Sequence, residues 1–251
     1  MNTNKQINVL SISSYGFNLG AGGNKDFSGA VRRQLDYAKF LDKYIIIAPG
    51  DVKAGGPTLL ANNLMVYPLR AKNQLLFAVK AYFLAGHIIR KENINCIACD
   101  NPFLSGLIGV RLKRKFKIPL IVHSMAEMID NPHYINERKI NQLKNWLAKK
   151  VLKQTDILRV STQAEIAAFE SRHYDKNKFH YAPFYGELEE YEKMSKDENF
   201  RKEILKDKYA NLILNVSRLA KQKDILTFLK AAKNVVKKKP KTLFVLIGGG
   251  P

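Results

Sequence analysis

Apolar residues along this chain fall in short continuous runs, separated by longer stretches with helical period. Ile7–Ser13, Tyr44–Ala48, Leu64–Tyr67, Asn95–Cys99, Pro119–Val122, Asp156–Val160 and Phe179–Ala182 predict strands. Between them, Asp26–Leu41 sets Phe27, Val31, Leu35, Ala38 and Leu41 at helical spacing. Gln74–Lys91 is apolar around most of its circumference, which predicts a largely buried helix. Asn136–Lys153 places Ile140, Leu143, Leu147 and Val151 on one helical face. Asn101 before Pro102 reads as an N-cap and first helical position, opening a helix to about Lys115. Thr162 with Glu165 forms a capping-box pattern. Strands that are continuously apolar, alternating with helices, predict a parallel sheet covered on both faces. Residues 1–185 therefore read as one α/β domain, a Rossmann-like doubly wound parallel sheet.

The pattern changes after Pro183. Residues 186–210 gather acidic side chains, among them Glu187, Glu189, Glu190, Glu192, Asp197 and Glu198, and read as a solvated interdomain segment with some helix. Residues 211–251 begin a new unit: strand Leu212–Val216, helix Asp224–Lys238, strand Leu243–Ile247, then Gly248-Gly249-Gly250-Pro251. One such unit cannot cover both faces of its own sheet, and domains are typically larger. The expectation is an incomplete second Rossmann-like domain whose remainder lies outside these residues.

With 251 residues, 46% of them hydrophobic, the chain can bury a sizeable core. Its 42 Lys and Arg against 22 Asp and Glu give a net charge of +20, which favours anionic partners without choosing among them. Cys96 and Cys99 sit in an apolar strand, where positions three apart face opposite ways, so a core role is expected rather than a metal or redox pair. Residues 1–6 are polar and lack the apolar stretch of a signal peptide. The most apolar segment, Leu75–Ile89, falls short of the roughly 20 residues needed to span a bilayer. A cytoplasmic location is expected, with peripheral contact at the inner face of a membrane.

Open parallel sheets bind ligands beyond the carboxyl ends of their strands. After the first strand, Gly20, Gly22 and Gly23 would let backbone N–H groups approach a diphosphate, or would serve only the turns of a loop. Their spacing is not that of a dinucleotide fingerprint, and Asp51 lies beyond Pro49-Gly50, which disfavours such a site. Asp100 and Asn101 follow the strand Asn95–Cys99 and are acceptor-side candidates, with helix capping as the competing role for Asn101. His123 ends the next strand at the mouth of a loop with two carboxylates; His123, suited to donating to a sugar hydroxyl or phosphate, and Glu127 are the catalytic candidates, and Asp130 is a third acceptor-side candidate. His133 is a weaker candidate, and His87 on an apolar helix is expected to be packed. In 211–251, Arg218 and Lys223 flank a helix N-terminus, two cations suited to a diphosphate.

At these residues the sequence resembles glycosyltransferase family 4. Leu212–Leu219, then Lys223-Asp224, then Phe244–Pro251 is similar to the start of that family's donor domain, where a Gly-Arg-Leu segment precedes a Lys-Gly pair and a later apolar strand ends in Gly-x-Gly-Pro. Ser217 and Asp224 stand here where the family pattern has glycine. The glycine-bearing first loop, Asp100-Asn101-Pro102 and His123 are similar in outline to the family's N-terminal domain. The resemblance implies a GT-B fold, two Rossmann-like domains facing across a cleft. It implies a retaining hexosyltransferase that takes a nucleoside diphosphate sugar as donor, a glycan or lipid-linked acceptor, as in cell-envelope polysaccharide synthesis, and no metal or other cofactor. Arg218 and Lys223 would stabilise the diphosphate leaving group, with Gly20, Gly22 and Gly23 approaching it, and His123 would contact the reacting sugar. The family's acidic motif lies beyond residue 251, so these residues alone are expected not to turn over substrate.

Two other classes compete. A nucleic-acid-binding module fits the charge, but aromatic residues do not interleave with the basic runs as a stacking platform requires, so no nucleic acid partner is expected. A non-catalytic binding module fits the shortness of the second unit. The runs Arg111–Lys117 and Lys149–Lys153 are by default solvated helix ends, and alternatively an attraction to anionic membrane.

Overall fold

A computed structural model describes residues 6–16, 29–50, 56–124, 128–183, 192–206 and 208–250. The chain divides into two compact units, Met1–Gly186 and Glu187–Pro251.

The first unit is built on an eight-stranded sheet. Its strands are β1 (Asn8–Ile12), β2 (Lys43–Pro49), β3 (Thr58–Ala61), β4 (Leu64–Leu69), β5 (Cys96–Cys99), β6 (Leu120–Ser124), β7 (Ile157–Val160) and β8 (Phe179–Tyr181). They lie in the order β3-β4-β2-β1-β5-β6-β7-β8. Every pairing is parallel except that of β3 with β4. The α/β class and the parallel sheet are as expected. The antiparallel edge strand β3 was not; its signal is the Asn62-Asn63 turn between two apolar runs.

The helices of this unit are α1 (Gly29–Ala38), α2 (Gln74–Lys91), α3 (Leu104–Phe116), α4 (Pro132–Glu137), α5 (Lys139–Gln154) and α6 (Gln163–Ser171). Right-handed crossovers fix the face each one takes. The chain runs from β1 outward to β2 through α1, then returns and runs through β5, β6, β7 and β8. This puts α1 on one face and α2, α3, α5 and α6 on the other. The larger core cluster joins Leu10, Ile12, Ile97, Leu120, Val122 and Leu158 to the α2, α3 and α5 side chains. A smaller one joins Val9, Tyr44, Ile46 and Val66 to Leu35 and Ala38 of α1. Cys96 packs with the smaller cluster and Cys99 with the larger, as the two-residue period requires.

Three expectations about helices change. Pro132 to Lys153 is two helices, because Arg138 is extended (φ −148°, ψ 142°). Asn131 caps the first by accepting from the His133 and Tyr134 N–H groups. The stripe Ile140, Leu143, Leu147 and Val151 does not form the buried face of α5; Asn141, Ala148, Val151 and Leu152 do, and Ile140 and Leu143 are exposed. On α2 the inward face is Phe77, Ala81, Ala85, Ile88 and Ile89, while Leu75 and Phe83 are 72% and 70% exposed.

The second unit contains α7 (Glu198–Leu205), β9 (Asn211–Val216), α8 (Ile225–Lys238) and β10 (Thr242–Ile247). β9 and β10 pair in parallel, Thr242 with Asn211 through Ile247 with Val216. Leu214 and Val216 of β9 are exposed although apolar.

Helix α3 approaches the sheet through glycine. A Cβ on Gly109 would lie 2.6 Å from the Cys99 Sγ and 2.7 Å from the Leu120 Cδ1. Gly109→Val is therefore expected to overpack the β5–β6 contact and cost about 1–3 kcal/mol. Urea unfolding measures this: the midpoint falls at unchanged slope, while Arg111→Ala on the exposed side of α3 shifts stability by less than about 0.5 kcal/mol.

Candidate functional site

Because β1, β5, β6 and β7 run parallel, their carboxyl ends meet on one edge and present Ser13, Asp100, Ser124 and Ser161 together. The chain reverses its direction of travel between β1 and β5, the position where open α/β sheets bind ligands. A groove of about 450 Å³ opens there on the α1 face, lined among others by Ser13, Tyr15, Arg33, Asp100, His123 and Arg159.

His123 and Arg159 are register partners across β6 and β7. Their side chains point to the α1 face, and an Arg159 Nη1 lies 3.3 Å from the His123 Nδ1. A guanidinium only donates, so Nδ1 accepts and the ring proton sits on Nε2. Arg159 also donates from Nε to the Ala182 carbonyl (3.1 Å) and from Nη2 to the Pro183 carbonyl (3.3 Å). Burial, and then the neighbouring Arg159 charge, push the His123 pKa down to about 4. His123 is thus neutral near pH 7, with one fixed N–H donor. That suits binding a hydroxyl or phosphate oxygen more than taking up a proton.

Asp100 is engaged by the protein itself. One carboxylate oxygen accepts from the Ser13 hydroxyl (3.0 Å) and the Ser14 N–H (2.7 Å); the other accepts from the Ser105 hydroxyl (2.7 Å) and the Asn101 amide (2.9 Å). Burial nonetheless raises its pKa, against the pull of these bonds. A substrate hydroxyl at Asp100 would compete with four donors. Asn101 accepts from the Phe103 N–H (2.9 Å), one turn before α3 begins at Leu104.

A neighbouring cluster went unforeseen. The Ser124 hydroxyl donates to the buried Glu165 carboxylate, and the Ser161 hydroxyl donates to the Ser124 carbonyl (3.3 Å). The Thr162 hydroxyl accepts from the Glu165 N–H (3.1 Å), the expected half of the capping box. The Glu165 side chain reaches β6, so it anchors α6 to the strand that carries His123.

Asp130 lies apart from the groove. It lines a second cavity, of about 390 Å³, with Lys149, Arg172 and Tyr174. There it accepts from the Asn145 amide, from Lys149 and from the Tyr174 hydroxyl, and these bonds outweigh burial to hold its pKa below the ordinary carboxylate value. Gly20, Gly22, Gly23 and Glu127 lie outside the described residues.

In the second unit Arg218 follows β9 and Lys223 closes a short 3-10 turn before α8; both are exposed. Backbone bonds hold the loop against the end of β10: the Ser217 N–H donates to the Ile247 carbonyl (3.0 Å) and the Leu219 N–H to the Gly249 carbonyl (2.8 Å). Gly248, at φ 155°, lies so close to the Ser217 carbonyl that no side chain fits. Asp224 is left-handed (φ 44°) and caps α8 through the Thr227 N–H (3.4 Å). Glycine suits that backbone, and Asp tolerates it, so the substitution seen at this place keeps the turn. Among the described residues no group of three or more His, Cys, Asp or Glu is placed to hold a metal ion.

The parallel sheet with ligand-side loops and the second β–α–β unit define a GT-B type of Rossmann-like fold. The chain is similar to HepE from Anabaena, solved in complex with UDP, with a TM-score of 0.65 at 15% identity, covering 98% of this chain and 62% of that one. It is also similar to the catalytic domain of starch synthase IV from Arabidopsis thaliana bound to ADP and acarbose (TM-score 0.60, 12% identity, 98% and 69% covered). A third likeness is to sucrose-phosphate synthase from Thermosynechococcus elongatus (TM-score 0.59, 13% identity, 96% and 70% covered). At these identities the likeness is one of fold. The chain spans less than two thirds of the HepE structure's length. The family model for glycosyl transferases group 1 matches residues 196–251. No curated protein matches the chain closely enough to stand as a relative.

The His123 environment sets a pH dependence. Its folded pKa lies below the ordinary 6.5, so its contribution to stability is fully present above about pH 6.5 and is lost as pH falls toward about 4. The loss expected is up to about 3 kcal/mol, and His123→Gln removes it. Imidazole ¹⁵N NMR checks the cause: a neutral ring protonated at Nε2 down to about pH 4.5 is expected, against titration near 6.5 if the ring is not buried beside Arg159.

Proposed function

We propose that this chain belongs to a nucleotide-sugar-dependent glycosyltransferase. In this reading it transfers a hexose from a nucleoside diphosphate sugar, with retention, to a glycan or lipid-linked acceptor. The observation that carries the reading is the match to glycosyl transferases group 1 over residues 196–251, which takes in the β9–α8 turn with Arg218 and Lys223. Negative charge builds on the departing diphosphate as the glycosidic bond breaks. Cations placed in advance stabilise it without reorganising at the moment of reaction. The left-handed Asp224 sets Lys223 immediately before the N-terminus of α8. In the first unit, the His123 Nε2–H is the donor for a sugar or acceptor hydroxyl, and Arg159 acts as its positioning residue. HepE, solved with UDP, and starch synthase IV, solved with ADP, share the fold, which supports a nucleoside diphosphate as the bound species.

Titration calorimetry of the whole chain with UDP, ADP and GDP tests this reading. Saturable binding of one of them is expected, weakened on the order of tenfold or more by Arg218→Ala and by Lys223→Ala and unchanged by Lys230→Ala on α8. Absence of binding by all three, or equal affinities in all variants, would contradict it.

A further inference from the structure

The layer of helices on the larger core cluster has an unusual outer surface. Helices α2, α3 and α5 carry three, four and five Lys or Arg, respectively, and no Asp or Glu. Helix α3 lies between the other two, packing on both. On one side of it Leu75, Val79 and Phe83 recur one turn apart along α2 and are exposed. On the other side Ile140, Leu143 and Trp146 follow one another along α5, each more than half exposed. The burial pattern of each helix fixes the direction: Phe77, Ala81, Ala85 and Ile88 face the sheet from α2, and Asn141, Ala148 and Leu152 face it from α5. Both apolar ridges therefore point outward, with Arg111 and Arg114 of α3 between them.

We propose that this surface docks on the anionic face of a lipid bilayer. Charge complementarity selects the partner: three adjacent helices without one acidic residue among them meet negative headgroups, each cation near the surface adding to the attraction. The two ridges supply what charge alone does not, aliphatic and aromatic side chains that enter the headgroup–acyl boundary. A tryptophan with a lysine beside it suits that depth, and the Lys150 Nζ lies 3.7 Å from the Trp146 ring centroid. A nucleic acid would use the cations but leave Leu75, Val79, Ile140 and Leu143 without contacts. No described helix is long and apolar enough to cross a membrane, so the contact is a surface one. The assignment rests on these helices and not on the transferase reading, so either can fail without the other.

Trp146 is the one tryptophan of the chain and reports the contact directly. Its emission is measured in the whole chain, without nucleotide, against phosphatidylcholine vesicles with and without phosphatidylglycerol. A blue shift and quenching by brominated acyl chains are expected with the anionic vesicles, both fading as salt is raised. Phe83→Ser with Leu143→Ser, and separately Arg114→Glu with Lys150→Glu, are expected to weaken binding roughly tenfold or more, with unchanged melting temperatures. The proposal is overturned if anionic vesicles leave the emission unmoved. It is equally overturned if both pairs of variants bind as the wild type does, or if duplex RNA binds more tightly than the vesicles and produces the same change at Trp146.

Discussion

The hand of the β–α–β crossover is the constraint on which the rest of this molecule depends. A right-handed connection after β1 carries α1 to one face, and every later connection carries its helix to the other. Two consequences follow from that single preference. The strand ends at Ser13, Asp100, Ser124 and Ser161 share one edge, and the α1 face of β6 and β7 presents His123 and Arg159 toward that edge, beside the half-buried Ile121 and Ile157. The same handedness gathers α2, α3 and α5 into one layer, so that three helices rich in cations add their charge on one surface.

Electrostatics then sort the polar groups at the strand ends into two kinds. Asp100 and Glu165 are structural in their contacts: each carboxylate draws donors from a neighbouring loop or strand, fixing the β1 turn in one case and α6 in the other. His123 is held differently. Burial, and then a permanent cation at Nδ1, keep the ring neutral, with its proton on Nε2 in a ring that lines the groove. In the second unit the arrangement is simpler, a loop held by backbone bonds to the end of β10 and the glycines after it, with Arg218, Lys221 and Lys223 exposed on it.

The fold was legible where local pattern and tertiary environment agree. β2 along its length and β10 up to Leu246 are buried or half-buried, so their continuous apolar runs predict them well, and α2 begins and ends where its pattern does. What was illegible has physical causes. β3 is short and takes its order from pairing with β4, while the start of α4 at its Asn131 cap and the extended Arg138 that ends it both lie within a polar stretch. The apolar stripes of α2 and α5 mark amphipathic helices but do not say which stripe faces the sheet; small residues, Ala81, Ala85 and Ala148, allow the close approach, and the larger side chains turn outward. Of the candidate site, His123, Asp100, Arg218 and Lys223 were visible as polar residues just past apolar strands. Arg159 was not singled out, although a cation at an alternate position of an otherwise apolar strand is a signal of a side chain facing away from the core. Asp130 looked like a neighbour of His123 in sequence and lines another cavity in space.

The central claim is that a nucleoside diphosphate is held at the carboxyl end of β9. Amide chemical-shift mapping of the ¹⁵N-labelled chain on titration with UDP tests it most directly. The account predicts that the largest changes fall on residues 217–224 and 248–250. Changes confined to the basic cavity around Asp130 and Arg172, or no saturable change anywhere, would contradict it.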